Sequence, residues 1–247
     1  MKEHQILFNA QMVRAILDGR KTQTRRVMKP QPDSTHDGEP YWFIGGYRAW
    51  RFTGTTAILR IGSFNPISSP YGKTGDRLWV RESWRIGAWD EDSGCVAIDY
   101  MADGYCRKEW IKPTNDPRGE IFARLWLQSA NDARKVYGEL DQYDWQAGES
   151  PCRWRPSIHM PRWASRILLE VTEVRVERLQ EISIQDAMAE GVAETAPRLK
   201  DLEPCMEWRY AYEDLWNVIN GPGSWDANPW VWVIEFRRID DNSKGMA

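Results

Sequence analysis

Residues 19–26 hold a lysine, two threonines and three arginines in one short run, Gly19-Arg20-Lys21-Thr22-Gln23-Thr24-Arg25-Arg26. A threonine hydroxyl is a nucleophile when a neighbouring base can take its proton, and Thr24 follows Lys21 by three positions. Lysine is a base only when it is neutral, and the neighbouring arginines disfavour its charged form. The run therefore predicts a base and a nucleophile. From spacing alone, a solvated edge strand with outward cations is the simpler interpretation.

The elements on either side of this run must position it. Asn9 is suited to cap a helix over Ala10–Asp18, and Gly19 fits the left-handed residue that ends such a helix. An extended segment is predicted over Thr22–Met28. Strict alternation along a strand puts Lys21 and Thr24 on opposite faces. We expect them to converge only if Lys21 belongs to the turn before the strand, or if a bulge intervenes.

The pattern Gly-x-Lys-x-x-Thr-x-Arg after an N-terminal helix resembles the signature of ASCH domains, a branch of the PUA-like superfamily. Later segments resemble the family's strands and helix in the same order, and together the matches cover about a third of the chain. These segments are Thr74–Val80, Leu168–Val174, Glu181–Val192 and Trp232–Phe236. The whole chain also resembles longer ASCH-like proteins of phages and prophages. The resemblance implies an α+β fold: a small PUA-like β-barrel with flanking helices and two long insertions.

The relatives with a defined chemistry are bacterial amidohydrolases that deacetylate N(4)-acetylcytidine. By this resemblance Lys21 is the proton acceptor, Thr24 the nucleophile and Glu190 the proton donor, with no metal or cofactor. Glu190 is predicted at a helix end, where the dipole favours a protonated carboxyl. By itself, Glu190 would be interpreted as an ordinary solvated carboxylate. We expect Lys21→Ala to abolish turnover and to leave the fold intact, because Lys21 follows the helix.

Substrate contacts are predicted around this triad. Arg81 and Glu82 form a polar pair on a predicted barrel strand, and they line the pocket if they face inward. An outward strand pair is an equally good interpretation. The predicted substrate-binding residues are Arg20, Arg25, Arg26, Arg81, Glu82 and Trp84.

A second interpretation is a non-catalytic module that binds RNA or a modified base. Two of the 15 tryptophans, Trp154 and Trp163, are interleaved with arginines, which is typical of stacking on single-stranded RNA. Loop packing explains them equally well. A ribonuclease is a third, weaker interpretation. A pure binder needs the arginines but has no use for Thr24 or Glu190.

The composition of the chain bears on several other classes of function. The net charge of −3 gives no global basic field for indiscriminate nucleic-acid binding. The three histidines and four cysteines lack metal-ligand spacing, so no metal or cofactor is predicted. Without a signal peptide or an apolar run of membrane length, we expect a cytoplasmic protein with free thiols and no membrane partner. No oligomeric state is predicted.

We predict one domain over residues 1–240, with insertions at about 31–70 and 101–163 and a disordered tail at 241–247. Apolar periodicity predicts the remaining elements. Strands are expected at Gln5–Phe8, Ala57–Ile61, Leu78–Ser83, Val96–Tyr100, Ile167–Val176 and Trp230–Arg238, and helices near Ala130–Tyr137 and at Ser183–Glu190 and Glu207–Asn220.

Overall fold

A computed structural model describes most of the chain. The described residues are 1–32, 34–36, 39–44, 47–49, 52–53, 56–57, 68–103, 110–113, 119–139, 145, 148–192 and 207–239. For the described residues between 34 and 57, the structure gives the backbone but not the side chains. The predicted tail at 241–247 and residues 58–61 of a predicted strand lie outside this part of the chain.

The α-helices are α1 (Ala10–Leu17), α2 (Glu120–Tyr137), α3 (Ile184–Ala189) and α4 (Glu207–Asn220). As predicted, the Asn9 side chain caps α1, accepting a hydrogen bond from the Met12 amide at 2.9 Å. Gly19 follows α1 with a φ of 74°, which is the left-handed conformation expected there. Within the described residues, no helix is both long enough and apolar enough to span a membrane.

The described strands are β1 (Glu3–Leu7), β2 (Gln23–Val27), β3 (Ser34–His36), β4 (Glu39–Ile44), β5 (Tyr47–Ala49), β6 (Phe52–Thr53), β7 (Thr56–Ala57), β8 (Arg77–Arg81), β9 (Trp84–Asp90), β10 (Cys95–Tyr100), β11 (Trp110–Ile111), β12 (Leu168–Arg178) and β13 (Trp230–Ile239). The larger sheet has five strands in the order β1-β8-β12-β13-β2. Three smaller sheets have the orders β11-β10-β9, β3-β4-β5 and β6-β7. The α+β class is confirmed. The described strands form open sheets, so the predicted closed barrel is not confirmed.

Strand β2 carries Thr24 and pairs antiparallel with β13. In this register Thr24 lies opposite Ile234, and Arg25 lies opposite Val233. Both faces of β2 are covered, since Thr24 and Arg25 are buried although they point to opposite sides. A strand with two buried faces must bury its polar residues as well. In β2 these include the charged guanidinium of Arg25.

The chain divides into two compact units. The first comprises residues 1–4, 15–78 and 168–247, and the second comprises residues 5–14 and 79–167. The core of the first unit lies among α3, α4 and β13 and contains Leu179, Tyr212, Trp216, Val231 and Val233. The core of the second unit is built from β9, β10 and α2 and contains Trp84, Ile86, Ile98, Leu125 and Trp163.

Candidate active site

Lys21 lies in the connection between α1 and β2, before the strand begins. Its amide donates to the carbonyl of Ala15 at 3.0 Å, which continues the C-terminal turn of α1. Lys21 also forms an isolated antiparallel bridge with Glu190, in which the Thr22 amide donates to the carbonyl of Ala189 at 2.8 Å. Lys21 therefore does not follow the alternation of side chains along β2. Its position is set by the end of α1 on one side and by the segment around Glu190 on the other.

The side chains of Lys21 and Glu190 form a buried ion pair. Lys21 Nζ lies 2.7 Å from Glu190 Oε2, and the two residues are each 2% exposed. Nζ also donates to two carbonyl oxygens, those of Gln23 and Glu190, each at 2.8 Å. Glu190 is therefore not a solvated helix-end carboxylate. The two groups are therefore shielded from bulk solvent and lie within hydrogen-bond distance of each other.

Burial is the main influence on the pKa of Lys21, and it lowers that pKa below the ordinary lysine value. The charge of Glu190 and its hydrogen bond act in the opposite direction, while Arg26 and Arg25 lower the pKa further. The predicted direction is correct, but its principal cause is desolvation rather than the arginines. Arg20 is exposed instead, and it pairs with Asp18 at 2.9 Å.

Arg25 holds the carboxylates around this pair together. Its side chain is completely buried, and Nη2 lies 3.0 Å from Glu177 Oε2 and 3.2 Å from Asp186 Oδ2. Its other terminal nitrogen, Nη1, lies 3.6 Å from Glu190 Oε1. Arg25 therefore positions Glu190 through a charge cluster. Its predicted contact with substrate stays a prediction, as do those of Arg20 and Arg26.

Asp186 is a member of this cluster that is not among the predicted site residues. It lies at the start of α3, where its backbone amide donates a hydrogen bond to the Ser183 hydroxyl oxygen at 3.1 Å. Burial raises the pKa of Asp186, but the Ser183 hydrogen bonds and the charges of Arg25 and Arg175 outweigh it and lower the pKa overall. The Ser-x-x-Asp spacing at residues 183–186 was a sequence signal for this cap.

Tyr212 of α4 is a second residue beside the ion pair that was not predicted from the sequence. It is 3% exposed, and burial, together with the negative charge of Glu190, raises the pKa of its phenol well above the usual value. The phenol therefore stays protonated beside the carboxylate. An aromatic residue on the apolar face of a helix gives no sequence signal for such a role, because core packing explains it equally well.

Gly191 permits the close contact between the two segments. A Cβ atom at this position would lie 2.6 Å from Lys21 Cβ and 2.8 Å from Ala15 Cβ. Gly191 also has a φ of 76°, a conformation that residues with side chains rarely adopt. Glycine is therefore required on two counts, and any larger residue would displace Lys21.

Thr24 follows Gln23, whose carbonyl oxygen accepts a hydrogen bond from Lys21 Nζ. It is 1% exposed, and it belongs to the same peptide unit as the Gln23 carbonyl that accepts the hydrogen bond from Lys21 Nζ at 2.8 Å. Strand alternation turns its side chain to the face opposite Gln23 and Arg25. The structure thus joins Lys21 directly to Glu190. It places the Thr24 side chain on the face of β2 opposite Arg25, whose guanidinium contacts Glu190.

The other predicted substrate-binding residues belong to the second unit. Glu82 is 1% exposed and forms a two-pronged ion pair with Arg166, at 2.9 and 3.0 Å. Arg81 instead donates to the carbonyl of Ser157 at 3.1 Å and to the side chain of Gln5 at 2.6 Å. Arg81 and Glu82 therefore have separate partners. Trp84 is buried in the core of this unit.

The two tryptophans of the predicted stacking platform have different surroundings. Trp163 is 9% exposed and packs edge-on against Trp84, with ring centroids 6.2 Å apart. Trp154 is 39% exposed, and the Arg85 guanidinium lies 4.6 Å from its ring centroid. Trp163 therefore packs into the core of the second unit, whereas Trp154 lies at its surface. The prediction that the protein binds single-stranded RNA stays a prediction.

Among the described residues, no group of three or more His, Cys, Asp or Glu side chains is arranged to hold a metal ion. Cys95 and Cys152 are free thiols. The chain matches no family model, no curated protein and no solved structure. The chemistry of the buried charge cluster is therefore the basis for a functional proposal.

Proposed function

We propose that the protein is a metal-independent amidohydrolase that removes acyl groups from N(4)-acylated cytidine or related cytosine-type substrates. The observation that carries the proposal is the buried contact of 2.7 Å between Lys21 Nζ and Glu190 Oε2. The sequence resemblance to ASCH domains supplies the substrate class. A PUA-like relationship of the fold is part of the same proposal.

A single proton transfer within the Lys21–Glu190 pair generates both a general base and a general acid. Transfer of a proton from the Lys21 ammonium to Glu190 gives a neutral amine and a neutral carboxylic acid. Burial reduces the cost of this state, because a low-polarity environment penalises the charged pair. The amine can then accept a proton from the nucleophile, and the acid can protonate the leaving group.

The proposed reaction requires the Thr24 hydroxyl to come within reach of Lys21 Nζ. The hydroxyl oxygen then bonds to the acyl carbon, and its proton passes to Lys21. The carbon–nitrogen bond then breaks, and Glu190 supplies the proton that the departing cytosine amine requires. This leaves the acyl group as an ester on Thr24. Water then attacks the ester and gives one proton to Glu190, while Lys21 returns a proton to Thr24. The sum is amide plus water giving amine plus carboxylic acid.

The second candidate is a binding module in which Lys21 and Glu190 only tie two segments together. Its support is that Lys21 Nζ makes hydrogen bonds with Gln23 O, Glu190 O and Glu190 Oε2, a set that suits a structural lysine. In both functions the pair joins the two chain segments. Only the hydrolase needs the Thr24 hydroxyl.

The test is incubation of the purified protein with N(4)-acetylcytidine, followed by the ultraviolet spectrum. The hydrolase predicts a shift towards the spectrum of cytidine, with stoichiometric release of acetate. A panel of longer N(4)-acyl groups then gives the acyl preference. Binding of the substrate without any spectral change would reject the hydrolase and favour the binding module.

A further inference from the structure

The second unit contains a pocket of about 410 Å³. Its lining includes Trp84, Trp163, Arg124, Arg155, His159 and Gln128. Apolar side chains complete the wall, and none of the described residues that line it is acidic. Pockets of roughly 300–1,000 Å³ with apolar walls and a few polar groups are typical of small-ligand sites.

Arg155 is held with its guanidinium against the ring of Trp84. Its backbone and that of Trp84 exchange two hydrogen bonds, at 2.7 and 3.1 Å. The Arg155 guanidinium lies 5.1 Å from the Trp84 ring centroid, and Trp163 meets Trp84 edge-on. The cation at this wall is therefore held in place before any ligand arrives.

The charge of Arg155 is incompletely compensated. Its Nε and Nη2 atoms are buried and have no hydrogen-bond partner among the described residues. Asp132 acts on Arg155 electrostatically, but its carboxylate contacts Lys135 at 3.6 Å and Arg153 at 3.9 Å. A half-buried guanidinium without a paired acid is stabilised when an anion binds beside it.

Arg124 supplies a second cation. Arg124 and Gln128 are four residues apart on α2, so they lie on one face of the helix, and both line the pocket. Arginine is suited to phosphate because its planar fork can donate two parallel hydrogen bonds. Ile121 and Pro161 give the pocket an apolar part next to these cations.

We propose that this pocket binds a nucleoside monophosphate, with the phosphate beside Arg124 and Arg155 and the ring system against Trp163 and the apolar wall. This site belongs entirely to the second unit. It does not depend on the hydrolase proposal, since no residue of the Lys21–Glu190 cluster takes part.

Calorimetric titration of the full chain with cytidine monophosphate tests the proposal. We expect saturable binding, and binding about tenfold or more weaker for cytidine and for inorganic phosphate, because each lacks one half of the ligand. Arg155→Gln should weaken cytidine monophosphate binding about tenfold or more. Arg153→Gln is the matched control, since Arg153 is exposed on the same segment and contacts Asp132. The affinity of this variant for cytidine monophosphate should equal that of the wild type.

Arg124→Gln is a second variant that does not disturb the core, because Arg124 is exposed on α2. It should weaken binding about fivefold. The proposal would be overturned by an absence of cytidine monophosphate binding at about 1 mM. It would also be overturned by equal affinities in the Arg124→Gln and Arg153→Gln variants, or by cytidine or phosphate binding as tightly as the nucleotide.

Discussion

Lys21 and Glu190 are joined twice, by an antiparallel backbone bridge and by a side-chain ion pair of 2.7 Å. The bridge fixes the two Cα positions, and the ion pair fixes the proton-carrying groups. The two residues are 169 positions apart in the sequence. The geometry of the proposed acid and base is therefore set by the fold of the first unit, and each part of the contact can be tested separately.

The ion pair predicts a specific pattern of stability. Lys21→Met leaves the Glu190 carboxylate buried without its principal partner, so it should lower the free energy of unfolding by about 3–5 kcal/mol. This replaces the expectation that loss of Lys21 leaves the fold intact. The double variant Lys21→Met/Glu190→Gln removes both charges, and it should be more stable than Lys21→Met.

Urea unfolding of the wild type, both single variants and the double variant completes a double-mutant cycle. We expect a favourable coupling energy between the two positions. Additive effects, or a Lys21→Met protein as stable as the wild type, would show that the pair does not form as described.

Gly191 predicts a steric effect on Lys21. Gly191→Ala must accommodate a Cβ atom 2.6 Å from Lys21 Cβ, in addition to the strain of a left-handed alanine. Gly223→Ala is the matched control, because Gly223 has the same φ of 76° and no atom within 4 Å of the added Cβ. The control should cost about 1–2 kcal/mol, and Gly191→Ala about 1–3 kcal/mol more.

The two glycine variants also differ in expected activity. At a temperature where both are folded, Gly191→Ala should lower kcat for N(4)-acetylcytidine, whereas Gly223→Ala should leave it unchanged. Equal stabilities and equal kcat values in the two variants would show that the close contact at Gly191 does not position Lys21.

Glu190→Gln separates catalysis from binding. The amide keeps the size of the carboxyl group but cannot exchange a proton, so hydrolysis should fall about 100- to 10,000-fold while the substrate still binds. Glu177→Gln is a control in the same charge cluster, since Glu177 contacts Arg25 at 3.0 Å. Initial rates and calorimetric affinities measure the two effects. Normal turnover in Glu190→Gln would remove Glu190 from the mechanism.

The pH profile of kcat/KM should respond to Arg26. The positive charge of Arg26 lowers the pKa of Lys21, so removing that charge in Arg26→Gln raises this pKa. Lys21 is then protonated up to a higher pH, and the acid limb of the profile should move upward. Arg20→Gln should leave the limb in place, because Arg20 is exposed and paired with Asp18. A limb that is identical in all three proteins would contradict Lys21 as the base.

Local signals in the sequence predicted much of the secondary structure. The Asn9 cap, Gly19 and the boundaries of α4 at Glu207–Asn220 were correct, because each depends on residues close in sequence. The start of α2 was predicted ten residues too late, near Ala130 rather than Glu120. Its N-cap is Gly119 in a left-handed conformation without a side-chain hydrogen bond, so the usual signal for a helix start is missing.

The charge cluster was less predictable. A resemblance to ASCH domains brought Lys21 and Glu190 together, but neither periodicity nor spacing indicates a contact between segments so far apart in the chain. The buried state of Arg25 was also unexpected, since an arginine on an outer strand usually faces solvent. Its burial depends on acids from β12 and α3 that reach it only after folding, and Asp186 is one of them.

The most direct test of the proposed hydrolase is the turnover of N(4)-acetylcytidine by the wild type and by Thr24→Val, measured from the ultraviolet spectrum. Valine keeps the shape of the buried threonine in β2 and removes only its hydroxyl group. We expect conversion to cytidine by the wild type and a rate about 100-fold or more lower in the variant, with both proteins folded. No conversion by the wild type, or equal rates in the two proteins, would contradict the proposed function.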